Sequence, residues 1–137
     1  MFKKIKTGSP YEEKFSYSRA LVVGDWVMTS NTAGRNYATR EMSSDAVGQM
    51  ERAIYNTEAA LKAAGAELAD IVRARITIPN LDDHMPVMGY WGERMRGIDP
   101  VVSISAAPLG AKEYLVELEV TAYKGATDWE REIIAIQ

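Results

Sequence analysis

Stretches of alternating apolar and polar residues predict several short strands along the chain. Residues 15–21 and 22–30 are rich in aromatic and β-branched residues, and Gly24-Asp25 interrupts them as in a tight hairpin turn. Further on, apolar residues alternate with Arg73, Arg75 and Thr77 until Pro79 ends the pattern, as in a half-buried strand. Strands are therefore predicted at residues 15–21, 22–30, 71–78, 101–107 and 114–123.

Two segments repeat their apolar residues at steps of three and four, which predicts amphipathic helices. The first helix follows Asp45 and stops at Gly65, where a glycine typically ends a helix. The second follows Asp82 or Asp83 and ends before Gly97. The two predicted stripes comprise Val47, Met50, Ile54, Thr57, Leu61 and Ala64, and then Met85, Met88, Trp91 and Met95.

The remaining segments predict a loop and a short terminal helix. Residues 31–40 carry neither the helical nor the strand period and are expected to form a loop. Thr127 and Glu130 have the spacing of a capping box, so a C-terminal helix is predicted. The expected organisation is one domain over residues 1–124 with a helical extension over residues 125–137.

The element order β-β-α-β-α-β-β predicts an α+β fold with a mixed sheet and two helices packed on one face. The other face would carry Glu117, Glu119, Arg73 and Arg75 beside apolar residues. Such a mixed face suits an interface between subunits, so we expect a homo-oligomer. A face exposed to solvent is the alternative.

Composition excludes several classes of function. The 137 residues contain no cysteine and one histidine, His84, so thiol chemistry, sulfur-ligated metal sites and two-histidine zinc motifs are excluded. The net charge of −3 argues against a nucleic-acid partner. The sequence has no long uncharged apolar run and no signal-peptide pattern, so we expect a cytoplasmic protein without a membrane partner.

Several segments in order resemble the Rid family, the YjgF-type reactive intermediate deaminases, also labelled endoribonuclease L-PSP. The resemblance spans about Ser9 to Lys124. It is specific because several matching segments occur together in the same order and spacing. The matching segments are Tyr17-Ser18-Arg19-Ala20, Val27-Met28-Thr29-Ser30, residues 56–65 (NTEAALKAAG), residues 69–78 (ADIVRARITI), Asn80-Leu81-Asp82-Asp83 and Val116-Glu117-Leu118-Glu119.

The resemblance implies a chorismate-mutase-like subunit that assembles as a homotrimer with clefts at its subunit interfaces. Deaminases of this family hydrolyse enamines and imines, such as 2-aminoacrylate, without a cofactor or metal. Their substrate carboxylate is held by an arginine in a Pro-x-Arg-Ser segment. Here that segment reads Pro100-Val101-Val102-Ser103, and Glu117 follows Val102 by fifteen positions, as the family spacing requires.

The chain therefore resembles a branch that lacks the substrate-binding arginine. With Val102 and Ile104 expected to line the cleft, the pocket would be more apolar than that of the aminoacrylate deaminases. We accordingly expect a larger or less acidic substrate.

Glu117 is the candidate acid/base catalyst, since enamine hydrolysis needs a group that both donates and accepts protons. An apolar cleft would raise the pKa of its carboxyl group by desolvation. A solvated or salt-bridged strand residue is the alternative. Tyr17 matches a family site tyrosine and is expected to bond substrate or water, or else to pack at an interface.

Arg19 would project from the same strand face as Tyr17, and we expect it to take over part of the carboxylate recognition. An ion pair with Glu117 or Glu119 of a neighbouring subunit is the alternative. Ser30 and Asn31 are expected to border the cleft, unless they only form a turn.

Trp91, His84 and the two arginines of the 71–78 strand are interpreted mainly as structural residues. Trp91 lies near a position where the family's second helix places an aromatic residue in the cleft. The helical spacing of Trp91 with Met88 and Met95 fits a core residue equally well. His84 receives no catalytic role. Arg73 and Arg75 are interpreted as interface charge partners rather than as a phosphate or RNA site.

Three functions remain as hypotheses. The first is a cofactor-free hydrolase or tautomerase of a small enamine or imine. The second is a non-catalytic trimer that binds a small metabolite in the same clefts. The third, a ribonuclease or translation inhibitor, conflicts with the acidic charge balance.

Overall fold

The computed structural model describes the whole chain, from Met1 to Gln137. Its helices are α1 (Pro10–Lys14), α2 (Ala46–Ala63) and α3 (His84–Arg94), with 3-10 turns at Leu68–Asp70, Leu81–Asp83 and Ala126–Asp128. Its strands are β1 (Phe2–Ile5), β2 (Ala20–Val23), β3 (Trp26–Thr29), β4 (Thr32–Ala33), β5 (Ile71–Ile78), β6 (Val101–Ala106) and β7 (Glu117–Tyr123).

The strands form one mixed sheet in the order β1-β2-β3-β7-β5-β6, and β4 pairs with β7 beside this path. The β5–β6 pair is parallel, and the other pairs are antiparallel. The predicted α+β class is confirmed. The short elements β1, α1 and β4 are additions that the sequence pattern did not predict.

The strand β5 has the predicted bounds, and from Arg73 onward its side chains alternate between the two faces as the sequence indicates. At its start an irregularity in the pairing with β7 buries Ile71 and leaves Val72 37% exposed, although the pattern predicts Val72 on the buried face. Ala74, Ile76 and Ile78 are buried against the helices. Arg73 and Arg75 lie on the open face, where Arg75 pairs in register with Glu119 of β7. The open face is therefore the mixed charged and apolar surface that the sequence predicts.

The helix α2 supplies much of the core. The Asp45 carboxylate caps it by accepting a hydrogen bond from the Gly48 amide at 2.6 Å, and Gly65 beyond its end adopts a φ of +87°. Its stripe packs with α3 and the sheet in one cluster of 20 buried apolar residues. In α3 the stripe differs from the prediction, because Val87 is buried and Met85 is 74% exposed.

The predicted strand at residues 15–21 is corrected in its first part. Ser9 caps α1 and Pro10 begins it, so this segment satisfies its backbone bonds as a helical turn. The Tyr17 amide then donates to the Glu12 carbonyl at 3.0 Å. The strand β2 consequently begins only at Ala20.

The predicted C-terminal helix is absent, because Thr127, the expected capping residue, bonds elsewhere. The Thr127 amide donates to the Asp70 carboxylate at 3.0 Å, and only the turn Ala126–Asp128 forms. The Trp129 ring packs edge-on against Tyr123 with ring centroids 5.4 Å apart, and residues 129–137 have no regular secondary structure. A helix this short is marginal without a packing surface. No helix in the chain has both the length and the apolar character needed to cross a bilayer.

Candidate active site

A cavity of about 160 Å³ opens beside the start of β7. Its walls come from the segment before β2, from the loop after β4 and from residues just before β7. They include one carboxylate, Glu117, and three arginines, Arg19, Arg35 and Arg40. The phenol rings of the wall are those of Tyr11, Tyr17, Tyr37 and Tyr114.

Glu117 is the first residue of β7, and its backbone lies between Ala33 of β4 and Thr77 of β5. Partial burial raises the pKa of its carboxyl group above the usual 4.5. The Arg19 charge and a hydrogen bond from the Asn31 side chain lower this pKa in part. The upward shift of the Glu117 pKa has the direction that the sequence analysis expects. The groups around the carboxyl are different, because phenols and arginines replace the expected Val102 and Ile104.

Arg19 is 8% exposed and is bonded within its own chain. Its Nη1 donates to the Asn31 carbonyl at 2.7 Å, and its Nε lies 3.9 Å from Glu12 Oε2. Glu12 is itself 2% exposed and accepts bonds from the Thr7 amide and hydroxyl at 3.0 and 2.6 Å. The ion-pair partner of Arg19 is therefore an acidic residue of the same chain, which the sequence did not single out.

Tyr17 and Arg19 meet at the cavity although they do not share a strand. The Arg19 guanidinium carbon lies 5.7 Å from the centre of the Tyr17 ring, within the range of a cation–π contact. Tyr37 also lines the cavity. Burial is the largest influence on the pKa of Tyr37 and raises it, against the opposing charge of Arg19.

The loop that carries Tyr37, Arg35 and Arg40 is held in place by α2. The side-chain amide of Asn56, through Nδ2, donates to the backbone carbonyls of Ala33 and Arg35 at 3.1 and 2.8 Å. The sequence predicted residues 31–40 only as a loop, without a role in the site. An aromatic residue and two arginines in a short polar segment were the one signal that pointed to a site.

The remaining sequence candidates lie outside this cavity. The Ser30 hydroxyl donates to the Ser18 carbonyl at 2.7 Å, and Trp91 is 3% exposed in the core. Val102 and Ile104 pair with Ala74 and Ile76, so their side chains lie on the helix-covered face of the sheet. In one chain the cavity thus unites Tyr17, Arg19, Asn31 and Glu117 but not Ser30, Trp91, Val102 or Ile104. No cluster of three acidic or histidine side chains is placed to hold a metal ion.

The fold and cavity together define a small α+β protein with a half-buried acid beside its open sheet face. The Endoribonuclease L-PSP family model matches residues 9–124. The chain therefore belongs to this family, the YjgF or Rid family.

Relatives and solved structures agree with this membership. The chain is 35% identical over 112 residues to Protein DfrA of Myxococcus xanthus, covering 77% of this chain and 83% of the relative. It is 30% identical over 104 residues to the 2-iminobutanoate/2-iminopropanoate deaminase of Dermatophagoides farinae, covering 75% of this chain and 81% of the relative. The crystal structure of Rv2704 of Mycobacterium tuberculosis, a YjgF/YER057c/UK114 family member, superposes with a TM-score of 0.82 at 32% identity, covering 90% of this chain and 99% of that one.

Proposed function

We propose that the protein is a cofactor-free acid/base hydrolase, a deaminase, that acts on a small enamine or imine metabolite. The observation that carries the proposal is the half-buried Glu117 carboxyl in a cavity of this size, with its pKa raised. The imine deaminase named among the relatives supports the same reaction class. Tautomerisation of a similar substrate would use the same carboxyl group to move a proton between nitrogen and carbon.

Glu117 is proposed to carry the successive proton transfers of the hydrolysis. Its carboxylic acid protonates the enamine carbon, and the C=C–N group becomes an iminium ion. The resulting carboxylate takes a proton from water as the water oxygen adds to the iminium carbon. That proton then passes from Glu117 to the amine nitrogen. The C–N bond breaks as the new hydroxyl group returns its proton to Glu117, so ammonia and a carbonyl product leave and the carboxylic acid is restored. A raised pKa suits a group that must serve as acid and then as base.

The cavity size favours a substrate of a few carbon atoms. Clefts for drug-sized ligands typically measure about 300–1,000 Å³. The single-chain cavity of about 160 Å³ is smaller.

A homotrimer with clefts between subunits is part of this proposal. Val102 belongs to β6, the terminal strand of the sheet, and lies on the face opposite Glu117. A residue at this position would reach the cavity only from a second copy of the chain. The exposed apolar residues of the open face, among them Trp26 and Met28, provide a surface for such contact.

The test is the hydrolysis of 2-iminobutanoate generated in situ, followed by ammonia release. Glu117→Gln keeps the shape of the side chain but removes its proton transfer, so kcat should fall by about 10²–10⁴-fold. Glu93→Gln is the matched control, because Glu93 is an exposed residue of α3 and does not line the cavity. Its kcat should stay within about twofold of the original.

Equal rates for the original protein and Glu117→Gln would contradict the proposed role. Metabolite binding without any acceleration of hydrolysis would instead favour the non-catalytic binding protein. Cleavage of RNA with a steep salt dependence, lost in Arg73→Gln, would favour the ribonuclease activity that the family's description names.

A further inference from the structure

The cavity contains more positive charge than its own carboxylates balance. Of its three arginines, Arg19 is neutralised by the buried Glu12 beneath it. Arg35 and Arg40 also line the cavity, and the proton chemistry assigned to Glu117 uses neither of them. Both belong to the loop of residues 34–45 that joins β4 to α2.

Arg35 is held rigidly while part of its guanidinium group remains free. Its Nη1 donates to the Arg40 carbonyl at 2.7 Å, and the guanidinium carbon lies 5.5 Å from the centre of the Tyr114 ring. Its Nη2 is 3.7 Å from Glu113, whose side chain is 59% exposed. That separation is too long for a hydrogen bond, and an exposed ion pair of this kind is weak, so a ligand anion can compete for Nη2.

Arg40 has a fixed backbone and a free side chain. Its φ is +68°, its amide donates to the Asn36 carbonyl at 2.8 Å, and its carbonyl accepts the Arg35 bond. The side chain is exposed and forms no salt bridge within the chain. A non-glycine residue in the left-handed region persists where surrounding contacts hold it.

The loop itself is fixed before any ligand arrives. The side-chain amide of Asn56 donates to the backbone carbonyls of Ala33 and Arg35. The side-chain oxygen of Asn36 accepts hydrogen bonds from the backbone amides of Ala38 and Thr39 at 2.9 and 3.1 Å. A binding group that is already ordered loses less entropy when a ligand binds. The two guanidinium groups are therefore presented to the cavity by a preorganised segment.

We propose that Arg35 and Arg40 form the carboxylate-binding subsite of this cavity and replace the arginine absent at Val102. The proposal rests on the proposed deaminase function and narrows its substrate class to small imino or enamino acids with one carboxylate. Planar guanidinium groups match a carboxylate in geometry and charge. A dianion is less suited, because Glu117 adds its own negative charge to the same small space.

This subsite reverses the expectation of a less acidic substrate. The sequence offered only Arg19 as a replacement cation, but Arg19 is 8% exposed, its Nη1 bonds the Asn31 carbonyl, and its charge is balanced by the buried Glu12, with Nε 3.9 Å from Oε2. Its role is accordingly to position Asn31 and to balance Glu12 rather than to capture substrate.

The test compares 2-oxobutanoate, the keto product of 2-iminobutanoate hydrolysis, with butanone, which replaces the carboxylate by a methyl group. Binding of both probes to the full chain is measured by ligand-observed NMR. Arg40→Asn removes the charge with a residue that tolerates positive φ, and Arg35→Gln removes the second guanidinium. Arg96→Gln is the matched control, because Arg96 is exposed and does not line the cavity.

Each of the two cavity variants should bind 2-oxobutanoate about tenfold or more weakly, with butanone binding unchanged. Arg96→Gln should bind both probes like the original protein. With 2-iminobutanoate as substrate, KM should rise in Arg40→Asn while kcat changes little. Unchanged 2-oxobutanoate binding in Arg40→Asn, or an original protein that binds butanone as well as 2-oxobutanoate, overturns the subsite.

The two proposals fail in different ways. If the original protein binds 2-oxobutanoate through Arg40 but hydrolyses no imine, the deaminase function fails and the anion subsite stands. If Glu117→Gln abolishes turnover while Arg40→Asn leaves KM unchanged, the subsite fails and the deaminase function stands. Should Arg35→Gln not fold, Arg40→Asn decides alone, because the Arg40 side chain makes no bond that the fold requires.

Discussion

Glu12 and Arg19 form a buried ion pair beneath the cavity, and few charged side chains in the chain are as deeply enclosed. Glu12 is 2% exposed and Arg19 is 8% exposed. Thr7 donates two bonds to the Glu12 carboxylate, while Arg19 bonds the Asn31 carbonyl next to the site. Removing either charge would leave the other without its partner in a place that water barely reaches.

We predict that Glu12→Ala lowers the free energy of unfolding by about 3–5 kcal/mol, because Arg19 is left buried and unpaired. The measurement is urea denaturation followed by tryptophan fluorescence. Glu13→Ala is the control, since Glu13 is the exposed neighbour on the same helix and should change stability by no more than about 0.5 kcal/mol. Equal stabilities for the two variants would show that the buried pair contributes nothing.

Some of these residues were visible in the sequence and others were not. Glu117 stood out through its place in the alternating strand and its distance from Val102. Glu12, Tyr37, Arg35 and Arg40 carry no such pattern, because they approach the cavity only through tertiary contacts. Their positions depend on the pairing of β4 with β7 and on Asn56, which bonds residues more than twenty positions away.

At the scale of elements, the contact between β4 and α2 fixes the arginine loop. A Cβ atom added to Gly34 would lie 2.1 Å from the Gln49 carbonyl oxygen, so only glycine permits this approach. The Gln49 side chain also donates to the carbonyls of Ser43 and Glu113 at 2.8 Å. The side of α2 that faces the loop therefore carries a polar side chain, Gln49, and the absence of a side chain at Gly34 lets the two backbones come into contact.

Gly34→Ala should lower the free energy of unfolding by about 1–3 kcal/mol, because β4 must move away from α2. Weaker 2-oxobutanoate binding should accompany this loss. Gly89→Ala is the opposite case, since nothing lies within 4 Å of a Cβ added inside α3. It should stabilise the protein by about 0.5–1 kcal/mol in the same denaturation experiment. A neutral or stabilising Gly34→Ala would show that the close approach is not required.

The longer elements follow from local pattern, and the shorter ones depend on distant partners. The strand β5 and helix α2 were predicted within a few residues, since each has a full period and a clear end signal. The edge strand β1 has four residues and exists through pairing with β2. At the C-terminus a local capping pattern predicted a helix, but Thr127 bonds Asp70 instead.

At the scale of the whole molecule, the sheet has one face covered by helices and one face open. Trp26 and Met28 are 46% and 39% exposed on this open face, and the Trp26 ring packs edge-on against Tyr123. An apolar surface rimmed by charged residues is typical of a protein interface. The homotrimer proposed above would cover this surface.

Sedimentation velocity should therefore give about three times the mass of the 137-residue chain. Met28→Arg should shift the protein towards the monomer, because a charge would be buried between subunits. Met85→Arg, at an exposed position of α3, should leave the trimer intact. A monomeric original protein, or a trimer that tolerates Met28→Arg, would contradict the interface.

The most direct test of the central claim is an NMR titration of the Glu117 side-chain carboxyl carbon in the native protein. The claim is that this cavity makes Glu117 a proton carrier, with a folded-state pKa above the usual 4.5. A raised pKa means that the folded state binds the proton more tightly than the unfolded state, so stability should fall as pH rises from 4.5 through the folded pKa. The account predicts a midpoint for Glu117 above 4.5. A midpoint at or below 4.5 would contradict it.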